Sequence, residues 1–107
     1  MKDPRADLLP FLRGLARDGL EDAAAPFGAE AIRDAITANA RKGFPVTVIR
    51  PLRPIDVRGT KIAKDGEAFL KREKIGHNWI PVTAPALAPD NPTGREMTFY
   101  ELVIELE

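Results

Sequence analysis

The stretch GTKIAKDGEAFLKREKIG, residues 59–76, decides the fold, because its middle supports two opposite readings. Asp65-Gly66 is a two-residue pair of the kind that closes a β-hairpin, which would join GTKIAK to EAFLKRE. Asp65 is equally a helix N-cap, and the residues after it favour helix. The hairpin is the preferred reading, with Ile62 and Phe69 facing each other across the ladder.

On the N-terminal side of this stretch the pattern is helical. Leu8, Leu12, Leu15 and Ala16 recur at spacings of three and four, with Phe11 and Leu20 beside them. Asp7 is a candidate N-cap that leaves Pro10 in the first turn; Asp3-Pro4 is a competing start, and Gly19 a stop. A second helix is expected from Phe27 or Gly28 to Lys42. Ala29, Ile32, Ile36 and Ala40 share one face, Arg41 and Lys42 suit the dipole at its end, and Gly43 caps it. The Ala-rich face suggests an αα-hairpin over residues 1–43.

From Phe44 the grammar is that of a sheet. FPVTVIRP alternates and is β-branched until Pro51 and Pro54 end it. On the C-terminal side, HNWIPV reads as a strand, and Pro81 argues for an edge position or for the strand's end. A Pro-rich loop near 81–94 follows, and MTFYELVIELE closes the chain as its most apolar strand, expected at the sheet centre. The fold class is therefore α+β: one domain over 1–107, with two N-terminal helices packed on a mostly antiparallel sheet of three to five strands over 44–107.

Composition bounds the chemistry. At 107 residues, 44% apolar and 30% charged, the chain has room for one small core. It has no cysteine, which excludes disulfides and Cys-based zinc sites. No uninterrupted apolar stretch resembles a signal peptide or a membrane span, so a soluble, cytoplasmic protein without membrane contact is expected. The mix of Ala, Arg, Pro and Gly fits the style of a bacterial or bacteriophage protein.

Charge is neutral in total but uneven along the chain. Residues 1–40 carry net −2, residues 41–78 net +6 and residues 79–107 net −4. Arg50, Arg53, Arg58, Lys61, Lys64, Lys71, Arg72 and Lys74, with Arg41 and Lys42, make the middle segment a candidate phosphate-binding surface whose affinity would fall with salt. The plain structural reading is internal pairing with the acidic last strand.

No catalytic constellation is visible. His77 is the only histidine and there is no serine, so neither a metal site nor a nucleophile can be assembled from sequence; a strand-start role for His77 is the bland alternative to a general base. No cofactor motif is present, because RGT at 58–60 and TGR at 93–95 lack the glycines of a phosphate loop. Trp79 is either a partner anchor or a core group whose indole N–H needs an acceptor. Pro85, Leu87 and Pro89 sit on a stiff loop that could lie in a partner's groove or act as a spacer. The functional expectation is a non-catalytic interaction or assembly protein, binding another protein or copies of itself. Nucleic-acid binding through the segment 41–74 is the alternative.

Overall fold

The computed structural model describes residues 4–107. Helix α1 (Pro4–Ala23) leads through a 3-10 turn (Ala25–Phe27) into α2 (Ala29–Arg41). Strand β1 (Val46–Ile49), helix α3 (Lys61–Arg72) and strands β2 (Gly76–Ala84) and β3 (Met97–Glu105) follow. The three strands form one antiparallel sheet in the order β1-β3-β2, so the last strand is central and β2 is an edge, both as its sequence implies.

The stretch 59–76 forms a helix, not the hairpin. Thr60 is the N-cap: its hydroxyl oxygen accepts from the Ala63 N–H at 3.2 Å and donates to the Val57 carbonyl at 2.7 Å. The Glu21 carboxylate, arriving from α1, accepts from the Lys61 N–H at 3.0 Å and the Ile62 N–H at 3.5 Å. Negative charge at a helix N-terminus is favourable. Gly66 is not a turn residue; it lies in mid-helix against the 3-10 turn, where an added Cβ would sit 1.9 Å from the Phe27 carbonyl oxygen. Only a glycine permits that approach. Ile62 and Phe69 accordingly sit on a helix flank, half-buried, rather than facing each other across two strands.

Both α2 and α3 end in the same backbone device. After α2, Gly43 has φ +89° and the Phe44 N–H reaches back to the Asn39 carbonyl at 3.0 Å. After α3, Lys74 has φ +58° and the Ile75 N–H bonds the Leu70 carbonyl at 2.9 Å. Each is a Schellman-type end with a left-handed residue, and only the first uses the expected glycine.

One face of the sheet is covered and the other is not. Successive residues of a strand point to opposite sides. Ile49, Leu102 and Ile104 join Phe27, Ile32, Ile36, Val57, Ala63 and Leu70 in the core beneath α2 and α3. Val48 and Val103 are paired in register, and with Val46 and Ile80 they belong to the opposite face. Val46, Val48 and Ile80 are exposed there.

The expected two-helix hairpin is replaced by a helix that leaves the body. Gly19 does not stop α1, which runs on to Ala23. Only its C-terminal end enters the core, through Leu20, Ala23 and Ala24. The molecule is long, 61 × 32 × 18 Å, with a radius of gyration of 16.7 Å. A compact chain of this size would have a radius of gyration of about 13 Å.

Candidate interaction surface

Along the N-terminal half of α1, five large apolar side chains face solvent. Leu8, Leu9, Leu12 and Leu15 are about half exposed and Phe11 is 61% exposed. They are no scatter of surface leucines. Leu9, Leu12, Ala16, Leu20 and Ala23 fall at spacings of three and four, one continuous helical stripe. Its C-terminal end is seated in the core and its N-terminal end is bare. Half-exposed side chains of this size each show on the order of 100 Å², so the patch is roughly 500 Å², in the range where an exposed apolar surface marks a contact.

The seat of α1 explains its direction. The Leu52 N–H bonds the Ala23 carbonyl at 2.9 Å, closing the open end of the helix. Arg53 donates to the Gly19 carbonyl at 2.8 Å and pairs with Asp22 at 3.2 Å. With Glu21 on the first turn of α3, these contacts clamp the last turns of α1 from two sides. Pro10 lies inside the helix and contributes no N–H of its own.

The edges of the sheet are poorly suited to recruit another strand. Pro81 interrupts the hydrogen-bonding row of β2, and β1 is four residues long between Pro45 and Pro51. Proline and shortness are ordinary protections of an edge.

The residues singled out from sequence have separate fates. Trp79 turns inward, with its ring centroid 5.2 Å from that of Phe27 and its indole N–H donating to Glu67 at 2.5 Å. His77 is half-buried and donates from Nδ1 to the Ile75 carbonyl at 2.9 Å. Among the described residues no three of His, Cys, Asp or Glu gather as a metal-ligand set, and no helix is long and apolar enough to cross a membrane. Leu87 is the most exposed hydrophobe, at 95%, between exposed Pro85 and Pro89. Its loop is held from below by buried Asn91, whose amide donates to the Pro85 and Arg95 carbonyls at 3.0 and 2.8 Å.

The basic residues of segment 41–74 are all exposed, and the acidic last strand covers few of them. Arg50 pairs with Glu101 of β3. Arg53, Arg58, Lys71 and Arg72 instead pair with Asp22, Asp56, Glu67 and Glu73. Lys61, Lys64 and Lys74 have no acidic partner among the described residues. Lys61, Lys64, Lys71 and Arg72 share the solvent side of α3, opposite Ala63, Gly66 and Leu70. The Arg58 guanidinium also lies 3.4 Å from the Tyr100 ring centroid, and its hydrogen bonds hold the Asp56 carboxyl below the usual carboxylate range. A shallow cleft of about 210 Å³ between α2 and α3 is lined by Ala29, Glu30, Arg33, Phe69 and Arg72. No protein-family model, curated protein or solved structure matches this chain.

The α1 surface was visible in the sequence as a stripe and read there as part of the core. One signal for the other outcome was present. Leu and Phe fill nearly every stripe position from Leu8 to Leu15, whereas α2 offers an Ala-rich face; side chains that bulky do not allow close approach of two helices.

Proposed function

We propose that this protein is a non-catalytic interaction and assembly module that docks through the bare apolar stripe of α1. The observation that carries the reading is the stripe's continuity. The face that packs in the core at Leu20 and Ala23 runs on, uncovered, through Leu9 and Leu12. The unclamped part of α1, Leu8 to Asp18, is only about three turns, a length that is marginal in water without packing on one face. A partner surface that covers Leu8–Leu15 supplies that packing. Leu87, on its stiffened loop, offers a second, smaller contact.

Amide hydrogen exchange tests the reading. In the dilute chain the amides of residues 11–18 should exchange freely, while those of 62–70 in α3 are protected. In the assembled state the α1 amides should slow at least about tenfold. Exchange in α1 that stays fast at every concentration and with every candidate partner would count against the proposal.

A second reading, nucleic-acid binding, is favoured by the four cations on the solvent side of α3 and by the exposed position of the basic residues of segment 41–74. Asp56, Asp65, Glu67 and Glu73 lie among those cations and weaken the field they present. A titration against labelled DNA and RNA decides it: binding that is present at low salt and collapses as salt rises supports it. No binding at low salt ends it.

A further inference from the structure

The chain carries two unpartnered apolar surfaces of complementary kind. One is the α1 stripe. The other is the open face of the sheet, where Val46, Val48 and Ile80 are exposed and Val103 and Val82 half-exposed. A sheet face of this composition is ordinarily covered by a second layer, and an amphipathic helix is one of its standard covers. Resting on the reading of α1 as the docking element, we infer that its partner is a second copy of this chain: α1 of each copy lies on the open sheet face of the other, forming a closed two-fold dimer.

Three observations carry the choice. The first is area. Pairing the two α1 stripes alone would bury roughly 1,000 Å² in total, short of the ~1,200–2,000 Å² of a stable interface. Reciprocal exchange adds both sheet faces, at roughly 400 Å² each, and brings the total to roughly 1,800 Å². Length also matches. The free part of α1, Leu8 to Asp18, spans about 16 Å at 1.5 Å per residue, inside the ~30 Å of the nine-residue strands β2 and β3.

Charge is the third. On the open sheet face Glu101 and Glu105 share the side of Val103, and Glu105 has no cationic partner among the described residues. Arg13 and Arg17 flank the α1 stripe on one side. The Arg13 and Arg17 edge of the helix is thus cationic where the free carboxylate of the sheet face is Glu105, Glu101 being held by Arg50. The same count argues against an anionic bilayer as the cover. Residues 4–23 carry three arginines against four acids, whereas a membrane-surface helix is rich in basic residues on its polar face.

Two variants at exposed positions test the exchange: Leu12→Glu on the helix and Ile80→Lys on the sheet. Mass is measured by light scattering across a concentration series, with thermal unfolding as the control for fold. The unchanged chain should be a dimer. Each variant should weaken the dimer at least about a hundredfold. An equal mixture of the two should recover a heterodimer of intermediate strength, because one intact helix still meets one intact sheet face. A misfolded Ile80→Lys chain could not rescue in this way, so rescue proves the fold as well as the exchange; absence of rescue between two variants that both unfold cooperatively overturns the inference. A dimer lost with Leu12→Glu but kept with Ile80→Lys overturns the sheet face as the seat and leaves α1 as the docking element. A dimer indifferent to Leu12→Glu overturns both, as does a chain that stays monomeric throughout.

Discussion

Helices α1 and α3 are both amphipathic, yet one is built into the protein and the other is offered to its surroundings. All three residues at the centre of the α3 stripe, Ala63, Gly66 and Leu70, are buried, two of them small enough to bring backbone against backbone. Both ends of α3 are satisfied, by Thr60 and Glu21 at one end and the Lys74 turn at the other. Helix α1 is 20 residues long against 12 for α3, and only its last turns are clamped. Its own glycines, Gly14 and Gly19, face open space where Gly66 faces a carbonyl. Apolar periodicity says that a face will be covered; the size of the residues on it says how closely, and so whether a neighbouring backbone of the same chain fits.

The largest test of that contrast is Gly66→Ala. The added methyl meets the Phe27 carbonyl oxygen at 1.9 Å and Ile32 Cδ1 at 2.7 Å, and a backbone atom has nowhere to go. The expected cost is above about 3 kcal/mol, the upper end of overpacking, enough to leave a small domain largely unfolded on warming. Urea unfolding checks it; a loss within experimental error would mean that α3 and the 3-10 turn are not in close contact. Next comes a matched pair. Leu70→Ala, at 0% exposure, should cost about 3 kcal/mol, while Leu12→Ala, at 48%, should shift the dilute monomer by less than about 0.5 kcal/mol. Equal losses at the two leucines would show that α1 is covered by its own chain.

These residues also show what was legible in the sequence. The bounds of α2, its glycine end, the edge position of HNWIPV and the central place of the last strand all followed from periodicity and proline placement. The α3 stretch did not, for two local reasons. Asp-Gly reads as a turn unless the position of the Phe27 carbonyl is known, and that contact joins residues far apart in sequence. The C-terminal end of α3 is a lysine in a conformation that glycine usually holds, so the stop signal was absent from the letters. The α1 stripe was legible as a stripe; its exposure was not, because solvent and core leave the same spacing. The surface pairing of charges was only partly legible. Arg50 does reach the last strand at Glu101, but most of the other paired cations found acids closer in sequence.

The Lys74 end gives a smaller test with the opposite sign. A non-glycine residue in the left-handed region is strained, and the matching position after α2 is Gly43. Lys74→Gly should therefore stabilise the protein by about 1 kcal/mol, seen as a higher urea midpoint with an unchanged slope. It sharpens the comparison, because it changes α3 without touching α1; exchange protection should rise in 62–72 and stay as it was in 11–18. A lower midpoint would mean that the Lys74 side chain contributes more than its backbone costs.

The smallest effect concerns the loop that delivers Thr60 to the start of α3. Arg58 donates to Asp56 through Nε at 3.0 Å and through Nη2 at 2.9 Å, and Asp56 Oδ1 also accepts from the Arg58 backbone N–H at 3.1 Å. These bonds lower the Asp56 pKa. A carboxylate whose folded pKa lies below its unfolded one stabilises the fold above the unfolded value, about 4, and loses that contribution as pH falls through the folded value. The pair is largely exposed, so solvent screens it and the effect is slight. Against Asp56→Asn, the native chain should hold a small advantage in melting temperature at neutral pH that shrinks below about pH 4. Arg58 also lies on Tyr100 of β3, so the tether joins the approach to α3 to the central strand. Among the described residues the Leu8–Leu15 half of α1 has no ion pair to lose, and the acid limb of its exchange should be the same in both chains. An advantage that persisted unchanged to low pH would assign the stabilisation to the shape of the loop and not to its charge.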